Sequence, residues 1–299
     1  MRARQRHLGL ALSGGGLLGV AHIGVLEVLE ENGIFPGVVA GTSAGAFVAA
    51  LYAAGLEPRA LRELALRLSR DDLYAWNFTL SGFLKMLLGN LRDILDALDA
   101  TPLGLLDGSR IAAYVERVAG VKRLKGLSLP VGLVAADLIS GKKVVFTNAE
   151  HVPQAGGAAF IGDAPLGLAV RASTALPGVF EPVPYQGMLL ADGGLVENIP
   201  AATCRLLGAT RVVAVRHAAE GLRKRPGSLV QVIMRGIEVM GERGMQDDLR
   251  WADAAVVTPA VAAGLSDFER VPELLEMGRA AAVNALPNLK ELARGNIFS

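Results

Sequence analysis

The chain has 299 residues, 52% hydrophobic and 20% charged, with thirty Lys and Arg against twenty-nine Asp and Glu for a formal charge of +1. A mean hydropathy of +0.39 excludes a disordered chain and allows a substantial buried core. The charge balance gives no electrostatic reason to expect nucleic acid. The single cysteine, Cys204, excludes an intrachain disulfide framework and fits a reducing compartment, with helix packing as its expected role.

In chain order, HLGLAL (7–12) reads as a strand buried on both faces and breaks into the glycines of SGGGLLG (13–19). GVAHIGVLEVLEENG (19–33) carries apolar residues at helical spacing and stops at Asn32-Gly33, a common C-terminal signal. A strand GVVA (37–40) and a helix SAGAFVAALYAAG (43–55) follow. From Leu80 to Leu98, Phe83, Leu84, Leu87, Leu91 and Ile94 share one helical face, while Lys85, Arg92, Asp96 and Asp99 take the other. Such a helix is either a lid or membrane-docking element within 71–106 or, more commonly, one packed on the core. Further strands are expected at 129–136, 143–147, 188–191, 211–215 and 254–257. Strands alternating with helices predict an α/β fold with a largely parallel sheet. No repeat or linker divides the chain, so one domain is expected over 1–299, with motifs in 7–215 and a helical part over 216–299.

Two stretches imitate targeting signals. Residues 1–20 place basic residues before an apolar run, but glycines interrupt that run and no clear small-x-small cleavage site precedes His22. Residues 38–56 are uncharged and near spanning length, yet rich in Gly and Ala, and read better as a buried strand–turn–helix. A cytoplasmic protein is the expectation.

GTSAG (41–45) fits G-x-S-x-G between a strand and a helix. A serine on such a sharp turn projects its Oγ outward, and its neighbours must be almost free of side chains, as Gly41, Ala44 and Gly45 are. The bland alternative is a helix start with Ser43 as N-cap. Gly14, Gly16 and Gly19 also satisfy G-x-G-x-x-G. The acid that a dinucleotide fingerprint needs about twenty residues on is missing, because Val38-Val39-Ala40-Gly41 stands there. No Lys-Ser/Thr pair follows, so a P-loop fails too. What remains is bare backbone N–H groups beside an elbow serine, the donors an oxyanion hole requires.

A serine nucleophile needs a proton acceptor. His7, His22 and His151 read as structural or solvated, whereas His217 could complete a Ser…Asp…His order. Asp192, directly after an apolar strand and before Gly193-Gly194, is the stronger candidate. The following helix is expected to start with Asn198 as cap and Pro200 in its first turn.

Together, SGGGLLG (13–19), GTSAG (41–45), RASTALPGVFEPV (171–183) and DGGLVENIP (192–200) resemble the patatin-like phospholipase family, in the family's order. The resemblance implies a three-layer α/β fold, a largely parallel central sheet with helices on both faces. It implies a Ser–Asp dyad of Ser43 and Asp192, an oxyanion hole from Gly14, Gly15 and Gly16, and no metal or organic cofactor. Hydrolysis of acyl esters in phospholipids or related lipids would follow, and a lipid substrate allows peripheral membrane contact without requiring it. Bacterial members often carry Arg or Lys where this chain has Leu18, which favours a neutral lipid or simple ester. The rivals are a catalytically silent lipid-binding scaffold and a triad using His217. Ser173 and Thr174 read as turn or cap residues.

Overall fold

A computed structural model of the chain describes residues 5–73, 75–76, 103–150, 157–218, 225, 227, 229–261, 263–264 and 267–294. The amphipathic segment 80–98 and His151 lie outside the described residues. The strands are β1 (Gln5–Leu12), β2 (Pro36–Thr42), β3 (Ala75–Trp76), β4 (Gly104–Asp107), β5 (Val131–Asp137), β6 (Lys143–Thr147), β7 (Ala159–Ile161), β8 (Gly178–Phe180), β9 (Val183–Tyr185), β10 (Met188–Asp192), β11 (Arg211–His217) and β12 (Ala254–Thr258). Helices are α1 (Ala21–Glu31), α2 (Ala44–Ala53), α3 (Pro58–Arg67), α4 (Arg70–Leu73), α5 (Ser109–Ala119), α6 (Leu166–Ser173), α7 (Ala201–Leu206), α8 (Leu229–Leu249) and α9 (Val271–Arg294).

The main sheet runs β12-β11-β1-β2-β5-β10-β9, and its first five strands are parallel. On its other edge β5 carries β6, antiparallel, and β7 continues from there. Side-chain alternation explains why helices cover both faces. Leu8, Leu10 and Leu12 of β1 enter a large apolar cluster with residues of α1, α2 and α9, each burial contributing roughly 1.5–3 kcal/mol. Ala11, Val38, Ala40 and Ala214 face the other way, against Cys204 of α7 and Met245 of α8. This second layer is thin because small residues let α7 approach: a Cβ on Gly9 would stand 2.7 Å from Ala209 Cβ and 3.0 Å from Cys204 Cβ. Cys204 is thus a packing residue, and burial pushes its thiol above the usual range.

Several expectations shift. Residues 16–20 form a 3-10 turn, so α1 starts at Ala21. β2 extends to Thr42 and β10 to Asp192, which puts the strand ends at the chemistry rather than before it. Asn198 does not cap the next helix, which begins at Ala201 with Pro200 in the cap position. Residues 38–56 form the expected strand–turn–helix, and no helix among the described residues is long and apolar enough to cross a membrane.

α9 crosses α1 with their backbones almost touching. A Cβ on Gly278 would lie 1.9 Å from Ala21 O, and one on Gly24 would lie 2.1 Å from Leu275 O. Arg279 adds ion pairs to Glu27 at 3.2 Å and Glu31 at 2.8 Å, holding the Glu31 carboxyl below its usual range. Gly278→Ala must therefore push two helices apart, and it should cost about 1–3 kcal/mol or more of stability. A lowered urea midpoint with an unchanged slope is the expected reading. An unaltered midpoint would mean that α9 does not pack on α1 in solution.

Candidate active site

Ser43 follows the last residue of β2 and precedes α2, with φ 53° and ψ −123°. A non-glycine residue in that region costs of order 1–3 kcal/mol. Its side chain makes no capping hydrogen bond, so the N-cap alternative fails. Both flanking glycines are obligatory for steric reasons. A Cβ on Gly41 would meet Gly45 O at 2.3 Å, and one on Gly45 would meet Leu12 O at 2.1 Å.

The sheet register brings Asp192 to this elbow. Thr42 pairs with Val134 of β5, and Asp192 of β10 pairs with the next residue, Ala135. Since β2 is parallel to β5 and β10 antiparallel, the two strands end head to head along one edge of β5. Asp192 is 4% exposed, and its Oδ1 accepts the Gly194 N–H at 2.8 Å. Burial pushes its carboxyl up to about 6, although hydrogen bonds from the Ser43 side chain and the Gly194 N–H pull it down.

RASTALPG, given only turn and cap roles from the sequence, holds both residues. Ser173 is fully buried at the end of α6; its Oγ accepts the Ser43 N–H at 3.0 Å and donates to Val134 O at 2.5 Å. Two residues on, Ala175 O accepts the Asp192 N–H at 2.9 Å. Thr174 does cap, donating its Oγ1 to Val170 O at 3.0 Å.

The glycine loop leaves β1 beside the elbow, because Leu12 pairs with Gly41. Its three candidate donors are not equivalent. The Gly14 N–H is shared between Asn198 O at 3.2 Å and Asn198 Oδ1 at 3.0 Å, and so is not free for a ligand. No hydrogen bond engages the Gly15 or Gly16 N–H among the described residues. Adjacent residues tie the loops together: Glu197 O accepts Thr42 Oγ1 at 2.8 Å, and Asp248 Oδ2 on α8 accepts the Ile199 N–H at 2.9 Å. Asn198, Asp248 and Ser173 were not expected in these positions, since each acts through backbone contacts to residues far away in sequence.

His217 lines the same cavity as Ser43 and Asp192, but no hydrogen bond joins it to either among the described residues. Its Nδ1 pairs with Thr258 Oγ1 at 2.8 Å, its ring stacks on His22 with centroids 5.1 Å apart, and its Nε2 has no partner among the described residues. A Cβ on Gly15 would lie 2.5 Å from its Cδ2. Burial lowers His22 to about 4 and His217 to about 3, so both rings are neutral above that range. His22 pairs with Ser13 O at 2.8 Å, and His7 lies on β1, whose opposite end carries the glycine loop.

These elements line a cavity of about 1160 Å³, with Ser43, Asp192 and the glycine loop among its walls. Leu51, Leu61, Ile111 and Phe180 contribute apolar surface, and Leu18 lines it as well.

The patatin-like phospholipase family profile matches residues 10–205. Similar proteins include an uncharacterized NTE family protein of Mycobacterium tuberculosis, 35% identical over 208 residues that make up 69% of this chain and 48% of that protein. Patatin-like phospholipase domain-containing protein 6 of Homo sapiens is 32% identical over 210 residues, 70% of this chain and 13% of that protein. The chain thus spans about half the length of the first relative and a smaller share of the second. Among solved structures, VipD from Legionella pneumophila is similar with a TM-score of 0.49 at 14% identity, covering 95% of this chain and 67% of that one. With the glycine loop, the elbow and Asp192 all inside the matched residues, the chain belongs to the patatin-like phospholipase family.

Proposed function

We propose that the protein is a serine acyl-ester hydrolase acting on phospholipids or related lipids through a Ser43–Asp192 dyad. The observation that carries this reading is a serine held on a strained elbow, with a buried carboxylate from the neighbouring strand end on the wall of the same apolar cavity. Asp192 takes the Ser43 proton as Oγ attacks the ester carbonyl, and the Gly15 and Gly16 N–H groups stabilise the oxyanion. Asp192 returns the proton to the departing alcohol. It then accepts a proton from water as the hydroxyl attacks the acyl-enzyme, and passes that proton to Ser43 Oγ as the fatty acid leaves. Gly14 supports the loop rather than the oxyanion, since Asn198 engages its N–H. Raised to about 6, Asp192 is a far better base than a solvated aspartate and still ionised at neutral pH. The apolar lining, with Leu18 in place of a cation, suits an acyl chain and a weakly charged substrate.

The direct test is intact-mass and peptide mapping after exposure to a small fluorophosphonate. A single adduct on Ser43 supports the reading; an unmodified chain, with a control hydrolase fully labelled, overturns it. His217→Ala separates the dyad from a triad. Turnover is expected to remain within about tenfold of the wild type, against the ~10⁴-fold loss expected on removing a triad member. A loss of the latter size would replace the dyad by a triad.

A further inference from the structure

The glycine loop is held by a splint whose far end lies on a helix outside the family match. Three consecutive residues form it: Glu197 O holds Thr42 Oγ1, Asn198 holds the Gly14 N–H with two oxygens, and the Ile199 N–H donates to Asp248. The splint therefore spans the residue before Ser43 and the first residue of the glycine triplet. Ile199 is fully buried.

We propose that Asp248 is a positioning residue, fixing the 198–199 backbone so that Asn198 sets the distance between the glycine loop and Ser43. The inference rests on the oxyanion role given to that loop above. Asp248 forms no ion pair among the described residues. Burial and the nearby Glu197 charge push its carboxyl up to about 6, against the pull of the Ile199 and Asn198 N–H groups and of Lys143. A carboxylate kept in those surroundings serves the Ile199 N–H, not a cation. It lies at position 248, beyond the matched residues 10–205, so the C-terminal part of the chain contributes to the site geometry.

Oxyanion donors act on the transition state and not on the bound ester, so misplacing them lowers kcat and leaves KM in place. The experiment compares Asp248→Ala, Asp248→Asn and Ser43→Ala on a water-soluble short-chain p-nitrophenyl ester. It adds the rate of fluorophosphonate labelling and amide hydrogen exchange of peptide 13–20. Asp248→Ala is expected to lower kcat about tenfold to a hundredfold with KM within about twofold. Labelling should slow in parallel, and exchange should rise at 13–20. Asp248→Asn keeps one acceptor and should recover most of the loss. If Ser43→Ala is inactive while Asp248→Ala keeps wild-type kcat and 13–20 exchange, the inference fails and the dyad stands. Exchange raised uniformly along the chain in both Asp248 variants also overturns it, since that marks a structural role alone. If Ser43→Ala retains full activity, the site reading fails instead. Exchange at 13–20 then decides whether Asp248 positions the loop: a local rise supports this, and no change overturns it.

Discussion

Ser43→Ala and Asp192→Asn are each expected to reduce ester turnover by about 10⁴-fold or more, the scale on which loss of a nucleophile or its base registers. The asparagine is close in shape to the carboxylate and can still accept the Gly194 N–H, but it cannot take a proton from Ser43 Oγ. Its loss is therefore chemical and not structural. Ser43→Ala leaves no atom for a fluorophosphonate to modify, whereas Asp192→Asn should still label, only slowly. The wild-type pH profile carries the same signature. Because Asp192 in the proposed mechanism works as a base only when ionised, and burial raises it to about 6, kcat/KM should fall about tenfold per unit as pH drops below that value. A flat profile through this range, or an Asp192→Asn variant near the wild-type rate, would remove Asp192 from the mechanism.

Asp192→Asn should also make the protein more stable at neutral pH. The carboxyl is raised from its usual 3.8 to about 6 on folding. A group raised in this way contributes stability that is fully present below about pH 4 and is lost as pH rises through about 6. A shift of this size corresponds to about 3 kcal/mol between the two ends of the window. Asparagine does not ionise, so the variant escapes that loss. Urea midpoints at pH 4 and pH 7 should differ less for Asp192→Asn than for the wild type, with the gain at pH 7. An equal pH dependence in both proteins would show that Asp192 is not held in a desolvated site. Activity and stability thus oppose each other at one residue, as expected where a charge is buried for chemistry.

What could be seen in the sequence was what is local in it. The elbow was legible because G-x-S-x-G carries its steric requirement within five residues, and Gly41 and Gly45 meet backbone where any side chain would collide. The parallel strands were legible because β1, β2, β5 and β11 are apolar runs of ordinary length. Strands β3, β4, β7, β8 and β9 span two to four residues each, too few for a period to register. Ser173, Asn198 and Asp248 were hidden for another reason. Ser173 meets Ser43 across 130 residues, Asn198 meets Gly14 across 184, and Asp248 meets Ile199 through a backbone N–H that any residue type would supply. Asn198, two residues before Pro200, resembles a helix cap in the sequence, but its side chain is engaged by the glycine loop.

The shared edge of β5 has a consequence for how this chain can change. Thr42 and Asp192 sit against consecutive residues of one strand, so their separation is set by the rise of a single β-ladder, about 3.3 Å per residue. Outside β5 and the Ser173–Ala175 clamp, the long stretch of chain between them plays no part in that spacing. It can be lengthened at its connections at low cost, since each doubling of a loop adds only about 0.6 kcal/mol. Much of the apolar wall, including Leu51, Leu61, Ile111 and Phe180, comes from that same stretch. Reactivity and substrate choice are therefore encoded in separable parts, and the second can diverge while the first is inherited intact.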